Sequence, residues 1–231
     1  MPTLHEGVLS KLGQRIVNGS LPAGSTITLD WLQREFDVSR TVAREVVQVL
    51  ASMQLVDSRR RTGVTVLPPG QWDVYDRAVI RWRLAGPERE EQLHQLSQLR
   101  AAIEPPAAAL AAVNADDTQR RQIVDSAEAL ESTGAAGDLQ TFLEHDVVFH
   151  RLLLQASGNS MFVGLAYVVE EVLRGRTEHH LMPAHPKPEA RRLHAVVAEA
   201  VAGGEPEVAH AAMTAICAEV VTEMGSLSKT R

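Results

Sequence analysis

Apolar residues recur at intervals of three and four along most of the chain, and this spacing predicts helices. The clearest case follows Ser39, a good N-cap, because the next sixteen residues, through Leu55, contain no Gly or Pro. One face of this helix is an apolar stripe, and another carries Arg40, Thr41, Arg44 and Gln48. Such side chains can bond to base edges and phosphates in a major groove, although an ordinary amphipathic surface helix has the same pattern.

Two helices are predicted before this one. Residues 4–17 form the first, which Asn18-Gly19 ends, and Thr28 caps a second helix that continues through Phe36. A short turn at Asp37 then leads into the helix that follows Ser39. Two helices joined in this way, the second with exposed arginines, predict a helix-turn-helix.

β-Prone residues follow at 56–58 and 64–67. The pattern predicts a hairpin, or wing, whose tip carries Arg59, Arg60, Arg61 and Gly63. Three consecutive positive charges on a tight turn are often only a solvated loop. Beside a recognition helix, contact with phosphates or the minor groove is the better interpretation.

The remaining residues predict a second, all-helical domain. Pro68-Pro69-Gly70 closes a head of residues 1–69, and residues 70–86 form a connector helix whose Trp72 and Trp82 would pack against the second domain. Residues 87–225 predict a bundle of six or seven helices, and 226–231 a disordered tail. The helices are expected at 88–113 (bent or divided at Pro105-Pro106), 116–130, 139–156, 161–180, 189–201 and 206–224. The predicted fold is mainly α, with a winged helix-turn-helix before the bundle.

Composition and charge fit this division. The net charge is −6, but residues 1–70 hold eight Lys or Arg against six Asp or Glu, so the head carries +2 and the rest −8. An acidic body with a more basic head suits a DNA-binding protein. A single cysteine, no apolar run of about 18–20 residues and no signal-peptide pattern predict a cytoplasmic protein without a membrane span.

The bundle also contains candidate metal ligands. Asp146 and His150 are four residues apart, which places them on one face of a helix, and His194 lies on a neighbouring predicted helix. A carboxylate and two imidazoles suit zinc, nickel or another first-row divalent metal. A satisfied polar pair is the plainer alternative.

Residues 4–67 resemble the winged helix-turn-helix of the GntR family of bacterial transcription regulators. The matching residues include Val38-Ser39-Arg40-Thr41, Arg44-Glu45, Leu55-Val56 and the Arg-rich wing that ends in Gly63. The resemblance implies that Arg40, Arg44 and the wing around Arg61 to Gly63 contact DNA. Many relatives carry a basic residue at or beside the position of Asp30, and Arg34 is the candidate to replace that contact.

The body is similar to the C-terminal ligand domain of the FadR-like branch of that family. The similarity rests on Leu99-Arg100, Glu104-Pro105, Asp146-x-x-Phe-His150, Ser157-Gly158-Asn159 and His194. Members often hold a metal with one Asp and three His, and these positions correspond to Asp146, His150, His194 and Ile216. Because Ile216 cannot ligate, the resemblance implies a three-ligand site completed by water or effector, or a vestigial site.

The segment from Gly70 to Trp82 resembles the corresponding segment of the sub-branch that responds to sugar acids such as galactonate or gluconate. In this fold Arg100 can project into the cavity and pair with a carboxylate, with His150 and His194 on the opposite side. A salt bridge between Arg100 and Glu104 is the alternative.

The sequence therefore predicts a homodimeric, effector-responsive regulator, a repressor that reads a pseudo-palindromic operator and is released by a small carboxylate. Two alternatives stay open. One is a metal-dependent hydrolase that uses Asp146, His150 and His194. The other is a helical scaffold whose head does not bind DNA.

Overall fold

The computed structural model describes residues 4–59, 63–178 and 186–227, without the side chains of residue 59 and residues 219–227. The chain divides into two compact units, Met1–Arg89 and Glu90–Arg231. A winged helix-turn-helix forms the first unit and a helical bundle the second, which confirms the predicted fold class. Across the described residues no helix is long and apolar enough to cross a membrane.

The first unit combines four helices with a small antiparallel sheet. Its helices are α1 (Leu4–Val17), α2 (Leu29–Phe36), α3 (Arg40–Ser52) and α4 (Arg77–Leu84), with a 3-10 turn at Pro69–Gln71. Its strands are β1 (Thr26–Ile27), β2 (Val56–Arg59) and β3 (Gly63–Val66), in the order β1-β3-β2. The hairpin of β2 and β3 is the predicted wing. The sequence did not predict β1, since two residues are too few to show an alternating pattern.

Local signals set the helix ends around the turn. Oγ1 of Thr28 and Oγ of Ser39 each accept a hydrogen bond from the backbone N–H three residues on, as predicted for N-caps. The helix α3 ends at Ser52 rather than at Leu55. Gln54 adopts a left-handed conformation (φ 57°) that turns the chain, and Leu55 then enters the core before β2.

The helix α4 is built into the first unit. Val79 and Trp82 join the apolar core that α1 and α3 form, not the second unit as the sequence predicted. The indole ring of Trp82 covers Gly13, where a Cβ would come within 2.2 Å of the ring, and its Nε1 donates to Oγ of Ser10 at 3.3 Å. The helix begins only after Asp76, whose carboxylate caps it, so Trp72 lies outside it.

The second unit contains seven helices within the described residues. They are α5 (Arg89–Asn114), α6 (Asp117–Ala136), α7 (Leu139–Ala156), α8 (Ser160–Gly164), α9 (Ala166–Glu178), α10 (Pro188–Gly203) and α11 (Pro206–Leu227). The helix α5 is not divided at Pro105-Pro106, and the predicted helix 161–180 is two helices, α8 and α9. Of the predicted tail, residues 226–227 belong to α11 and residues 228–231 lie outside the described residues.

The helix α6 is longer than predicted because Gly134 packs instead of turning. It is buried within the helix, and a Cβ there would lie 2.5 Å from Cδ of Arg191 and 3.2 Å from the ring of Phe142. The turn comes at Gly137, which has φ 74°. Glycine's lack of a side chain thus serves a close helix contact at one position and a left-handed turn at the other.

Arg120 ties together the ends of two helices. Its guanidinium donates to the carbonyls of Ala112 and Ala115 at the end of α5 and to those of Val201 and Ala202 at the end of α10, over 2.6–3.0 Å. Carbonyls at helix C-termini lack the backbone donors that they would find within a helix, and Arg120 supplies donors to them. The same two helices carry the polar residues Arg100, Glu104 and His194.

Candidate nucleic-acid interface and metal centre

A groove on the first unit runs beside α2, α3 and the wing. It is lined by Thr28, Leu29, Asp30, Arg40, Arg44, Val47, Gln48, Ser58, Gly63 and Val64. Three predicted DNA-binding residues, Arg40, Arg44 and Gly63, therefore meet on one surface. Arg40 is the first residue of α3. In a helix-turn-helix the N-terminal end of the recognition helix contacts base edges. Arg44 is exposed and makes no ion pair within the described part of the chain.

Of the other predicted DNA-binding residues, Arg34 and Thr41 do not line this groove. Thr41 is exposed on α3, and Nε of Arg34 donates to the backbone oxygen of Asp30 at 3.2 Å. Arg59 ends β2, while Arg60 and Arg61 lie outside the described residues. The DNA contacts assigned to these five residues stay predictions.

Gly63 has a structural reason to be glycine. Its φ is +87°, and a Cβ there would lie 3.0 Å from Cγ2 of Thr26 and 3.2 Å from the carbonyl oxygen of Ile27. A side chain would therefore meet both an unfavourable backbone conformation and the strand β1. Gly63 thus lets β3 begin close against β1 at the base of the wing.

The second unit buries five ionisable side chains in one cluster, none more than 6% exposed: Arg100, Glu104, Asp146, His150 and His194. Nε and Nη2 of Arg100 donate to the two carboxylate oxygens of Glu104 at 2.7 and 3.1 Å. This is the salt bridge that the sequence offered as the alternative role for Arg100. The Nε/Nη2 edge of the guanidinium, which could otherwise form two hydrogen bonds with an effector carboxylate, is therefore bonded to Glu104.

Glu104 is held as a carboxylate. Burial favours its neutral form, but Arg100 and His150 outweigh burial and lower the pKa of Glu104 to about 2. Burial likewise disfavours the charged form of His150, yet Glu104 raises the pKa of that imidazole above its usual value. Sγ of Cys217 lies 3.8 Å from Oε2 of Glu104, and burial together with this carboxylate raises the pKa of the thiol to about 12.

The two imidazoles present equivalent nitrogens to Asp146. Nε2 of His150 lies 3.4 Å from Oδ1 of Asp146, and Nε2 of His194 lies 3.2 Å from the same oxygen. Each Nδ1 lies 2.7 Å from another acceptor, Oε2 of Glu104 for His150 and the backbone oxygen of Ala190 for His194. In the neutral form of each imidazole these acceptors place the proton on Nδ1, and the Nε2 lone pair then faces Asp146.

This arrangement fits a divalent metal. Two lone pairs against a carboxylate repel unless a cation or a proton lies between them, and the three ligand atoms are all within 4.8 Å of one another. Oδ1 of Asp146 and Nε2 of His194 are buried, and beyond the contacts of these three side chains with one another they have no hydrogen-bond partner among the described residues. Buried polar atoms are normally paired. Two imidazole nitrogens and a carboxylate oxygen are also ligands that zinc and nickel accept.

Two features weaken the affinity of such a site. Nη2 of Arg100 lies 3.2 Å from Nε2 of His150, so a guanidinium competes for the nitrogen that would bind the metal. Ile216, at the fourth family position, is 5% exposed and belongs to an apolar cluster with Phe149 and Met213. The described residues thus supply three candidate ligands, and the fourth position holds the apolar side chain of Ile216.

Ser97 belongs to the same buried face of α5 and was missed in the sequence. Its Oγ is buried without a hydrogen-bond partner in the described part of the chain, and so is Nη1 of Arg100 one turn later. The three-residue spacing of these two polar side chains is visible in the sequence. Their burial was not, because the spacing does not show which face of α5 is covered.

A winged helix-turn-helix with an arginine-lined groove, followed by a helical bundle, is an arrangement typical of DNA-binding transcription regulators. Residues 4–66 match the bacterial regulatory proteins of the gntR family, and residues 95–219, more than half of the chain, match the FCD domain. The chain belongs to the GntR family of regulators that carry an FCD domain. Members are transcription regulators and not enzymes, which sets aside the metal-dependent hydrolase.

Several known proteins are similar to this chain over most of its length. The galactonate operon transcriptional repressor of Escherichia coli (strain K12) is 28% identical over 176 residues, 76% of each chain. A probable D-xylose utilization operon transcriptional repressor of Paenarthrobacter nicotinovorans is 26% identical over 216 residues, 92% of this chain and 84% of the relative. The structure of Lar from Listeria monocytogenes has a TM-score of 0.67 at 18% identity and covers 98% of this chain and 99% of its own, which shows the shared fold.

Proposed function

We propose that this protein is a homodimeric repressor that a small carboxylate, such as a sugar acid, releases from its operator. The observation that carries the proposal is the pairing of an Arg-lined groove in one unit with a buried, incompletely paired polar cluster in the other. The similarity to a galactonate operon repressor supports a sugar acid as the effector.

The groove supports sequence reading by α3. Arg40, Arg44 and Gln48 line it, and these residue types bond to guanine, adenine and phosphate oxygens. A dimer presents two such helices related by two-fold symmetry. The operator is therefore expected to be a pseudo-palindrome with half-sites about one helical turn apart.

The buried cluster supports recognition of an anion. An unpaired carboxylate in a protein interior costs several kcal/mol, so an acidic effector needs buried donors. Nη1 of Arg100 and Oγ of Ser97 are buried, find no partner among the residues that the structure describes, and are one turn apart on α5. Because Glu104 already occupies Nε and Nη2 of Arg100, the effector would use Nη1.

The histidine side of the cluster would complete the effector site. A divalent metal held by Asp146, His150 and His194 would supply positive charge and open coordination positions for the acid's oxygens. Glu104 and the backbone oxygen of Ala190 keep the two imidazoles turned toward Asp146 through their Nδ1 atoms. These side chains orient whatever occupies the position beside Asp146.

Effector binding would be transmitted along α5. This helix begins at Arg89, whose Nε donates to the backbone oxygen of Leu84 at 2.6 Å, at the end of α4. The helix α4 belongs to the core of the first unit. Effector and operator affinities would then be coupled reciprocally, by about 1–3 kcal/mol as is usual for allosteric proteins.

A gel-shift experiment tests the proposal directly. The full chain would be mixed with DNA from upstream of its own gene, with and without galactonate, gluconate and simple dicarboxylates. We expect specific retardation that one class of acid abolishes. Binding no tighter than to an unrelated duplex of the same length would show that the proposed operator recognition is wrong.

A further inference from the structure

An acidic residue lies on the surface that should face DNA. Among the residues that line the groove, Asp30 is the acid and Arg40 and Arg44 are the basic residues. A carboxylate near the negatively charged DNA backbone lowers affinity unless it has a specific partner. Asp30 therefore needs an explanation that general attraction to phosphates does not provide.

Asp30 is organised by its neighbours. Its Oδ1 lies 3.4 Å from Nη1 of Arg40 and accepts from Nε2 of Gln33 at 3.3 Å. The side chains of Asp30 and Arg40 are 72% and 67% exposed. An ion pair this exposed contributes little to folding stability, so stability does not explain why Asp30 and Arg40 are paired.

The pair has the chemistry to read one base pair. Oδ2 of Asp30 makes no hydrogen bond within the described part of the chain, so it can accept one from DNA. In the major groove a carboxylate accepts from the N4 amino group of cytosine, and an Arg side chain donates to O6 and N7 of guanine. These two partners are the two halves of a G·C pair.

We infer that Asp30 is a specificity-determining residue that, together with Arg40, selects a G·C pair at one position of each operator half-site. The inference rests on the proposed DNA-binding function. In this arrangement Asp30 keeps Arg40 from binding a phosphate and directs it to a base edge. Asp30 thereby lowers the affinity for DNA of any sequence, and it increases the difference in affinity between the operator and other sequences.

The test compares the DNA sequences that the full-length protein and its variants select from a random duplex library. The variants are Asp30→Asn, Asp30→Ala and Arg40→Ala. Glu35→Gln is the matched control, because Glu35 is also an exposed acid on α2 and pairs with Arg15 at 2.6 Å without lining the groove. Circular dichroism would confirm that each variant is folded.

We expect wild type and Glu35→Gln to select the same sequences, with a G·C pair at a position that all three other variants lose. Asp30→Asn should bind the wild-type sequence roughly ten-fold less tightly relative to an unrelated duplex, the size of one base contact. Its binding to the unrelated duplex should tighten. The dependence of log K on log salt should steepen by about one per head, because Arg40 becomes free to bind a phosphate.

Three outcomes would overturn the inference. In the first, Asp30→Asn selects the same bases as wild type at every position. In the second, it tightens binding to all duplexes equally, which would mean that Asp30 only weakens phosphate contacts. In the third, the positions lost in Asp30→Asn and in Arg40→Ala differ. If wild type itself enriches no sequence, the proposed operator recognition fails together with the inference, and the result is distinct from the other three.

Discussion

Nδ1 of His150 lies 2.7 Å from Oε2 of Glu104, so the imidazole is positioned through the nitrogen that does not face Asp146. Metal-binding histidines are commonly oriented by a carboxylate in this way, and such partners affect metal affinity about 10–100-fold. Glu104 is in turn fixed by Arg100. The proposed metal-binding and anion-binding sides of the cluster are therefore joined through one carboxylate.

The first prediction concerns metal content. Wild-type protein dialysed against metal-free buffer should keep less than one divalent metal per chain, because three ligands hold it more weakly than four and Arg100 competes for His150. Ile216→His should raise the metal content, measured by elemental analysis, and Ile216→Leu should not. Full metal content in wild type, unchanged in Ile216→His, would contradict the three-ligand site.

The second prediction concerns the anion partner. Arg100→Ala alone would leave the buried Glu104 carboxylate without its main partner and destabilise the fold by about 3–5 kcal/mol. The paired variant Arg100→Met/Glu104→Gln removes both charges and should stay folded. It should bind operator normally but should not be released by the acid, as calorimetry and gel shift would show.

The reference for this experiment is Glu104→Gln, which keeps Arg100 and an amide oxygen that can still accept from it. Because this variant also leaves a buried charge without its countercharge, circular dichroism would first establish that it is folded. It should still bind the acid, since Nη1 of Arg100 is retained. Normal acid binding and normal release in the paired variant would mean that Arg100 has only a structural role.

The third prediction concerns the recognition helix. Arg44→Ala should weaken binding to the operator by about 1–3 kcal/mol, because Arg44 lines the groove and has no other ion pair among the described residues. Arg60→Ala should weaken binding to all sequences more evenly and flatten the salt dependence. Fluorescence anisotropy over a range of salt concentrations measures both effects. A double variant that binds as tightly as wild type would refute the assignment of both residues.

The fourth prediction concerns packing in the first unit. Gly13→Ala should destabilise the protein by about 1–3 kcal/mol, because its Cβ would overlap the ring of Trp82. Gly7→Ala on the same helix meets nothing within 4 Å and should stabilise it by up to about 1 kcal/mol. Urea unfolding of the full chain would measure both. Equal stability changes in the two variants would show that Trp82 does not rest on Gly13.

Signals that lie within a few residues of one another were predictable. The caps at Thr28 and Ser39, the strands of the wing and the spacing of Asp146 and His150 were all visible in the sequence, because each depends on neighbouring residues. The division of one predicted helix into α8 and α9 and the burial of Gly134 were not, since they depend on packing between helices.

The same distinction applies to the candidate site. The salt bridge of Arg100 and Glu104 follows from a four-residue spacing on one helix, and it was foreseen as an alternative. The contact of Glu104 with His150 joins α5 to α7, and that of Asp146 with His194 joins α7 to α10. Sequence spacing does not determine either distance, so the approach of Nη2 of Arg100 to Nε2 of His150 could be seen only in the folded chain.

The packing of α4 onto α1 sets where the head can be separated from the rest of the protein. A fragment that stopped at residue 70 would lose Val79 and Trp82 and would expose the apolar side of α1 around Gly13. A fragment that continued through Leu84 would keep that side covered. A DNA-reading module grafted onto another ligand domain should therefore be joined after residue 84, in the short stretch before α5, and not at the prolines that come after the wing.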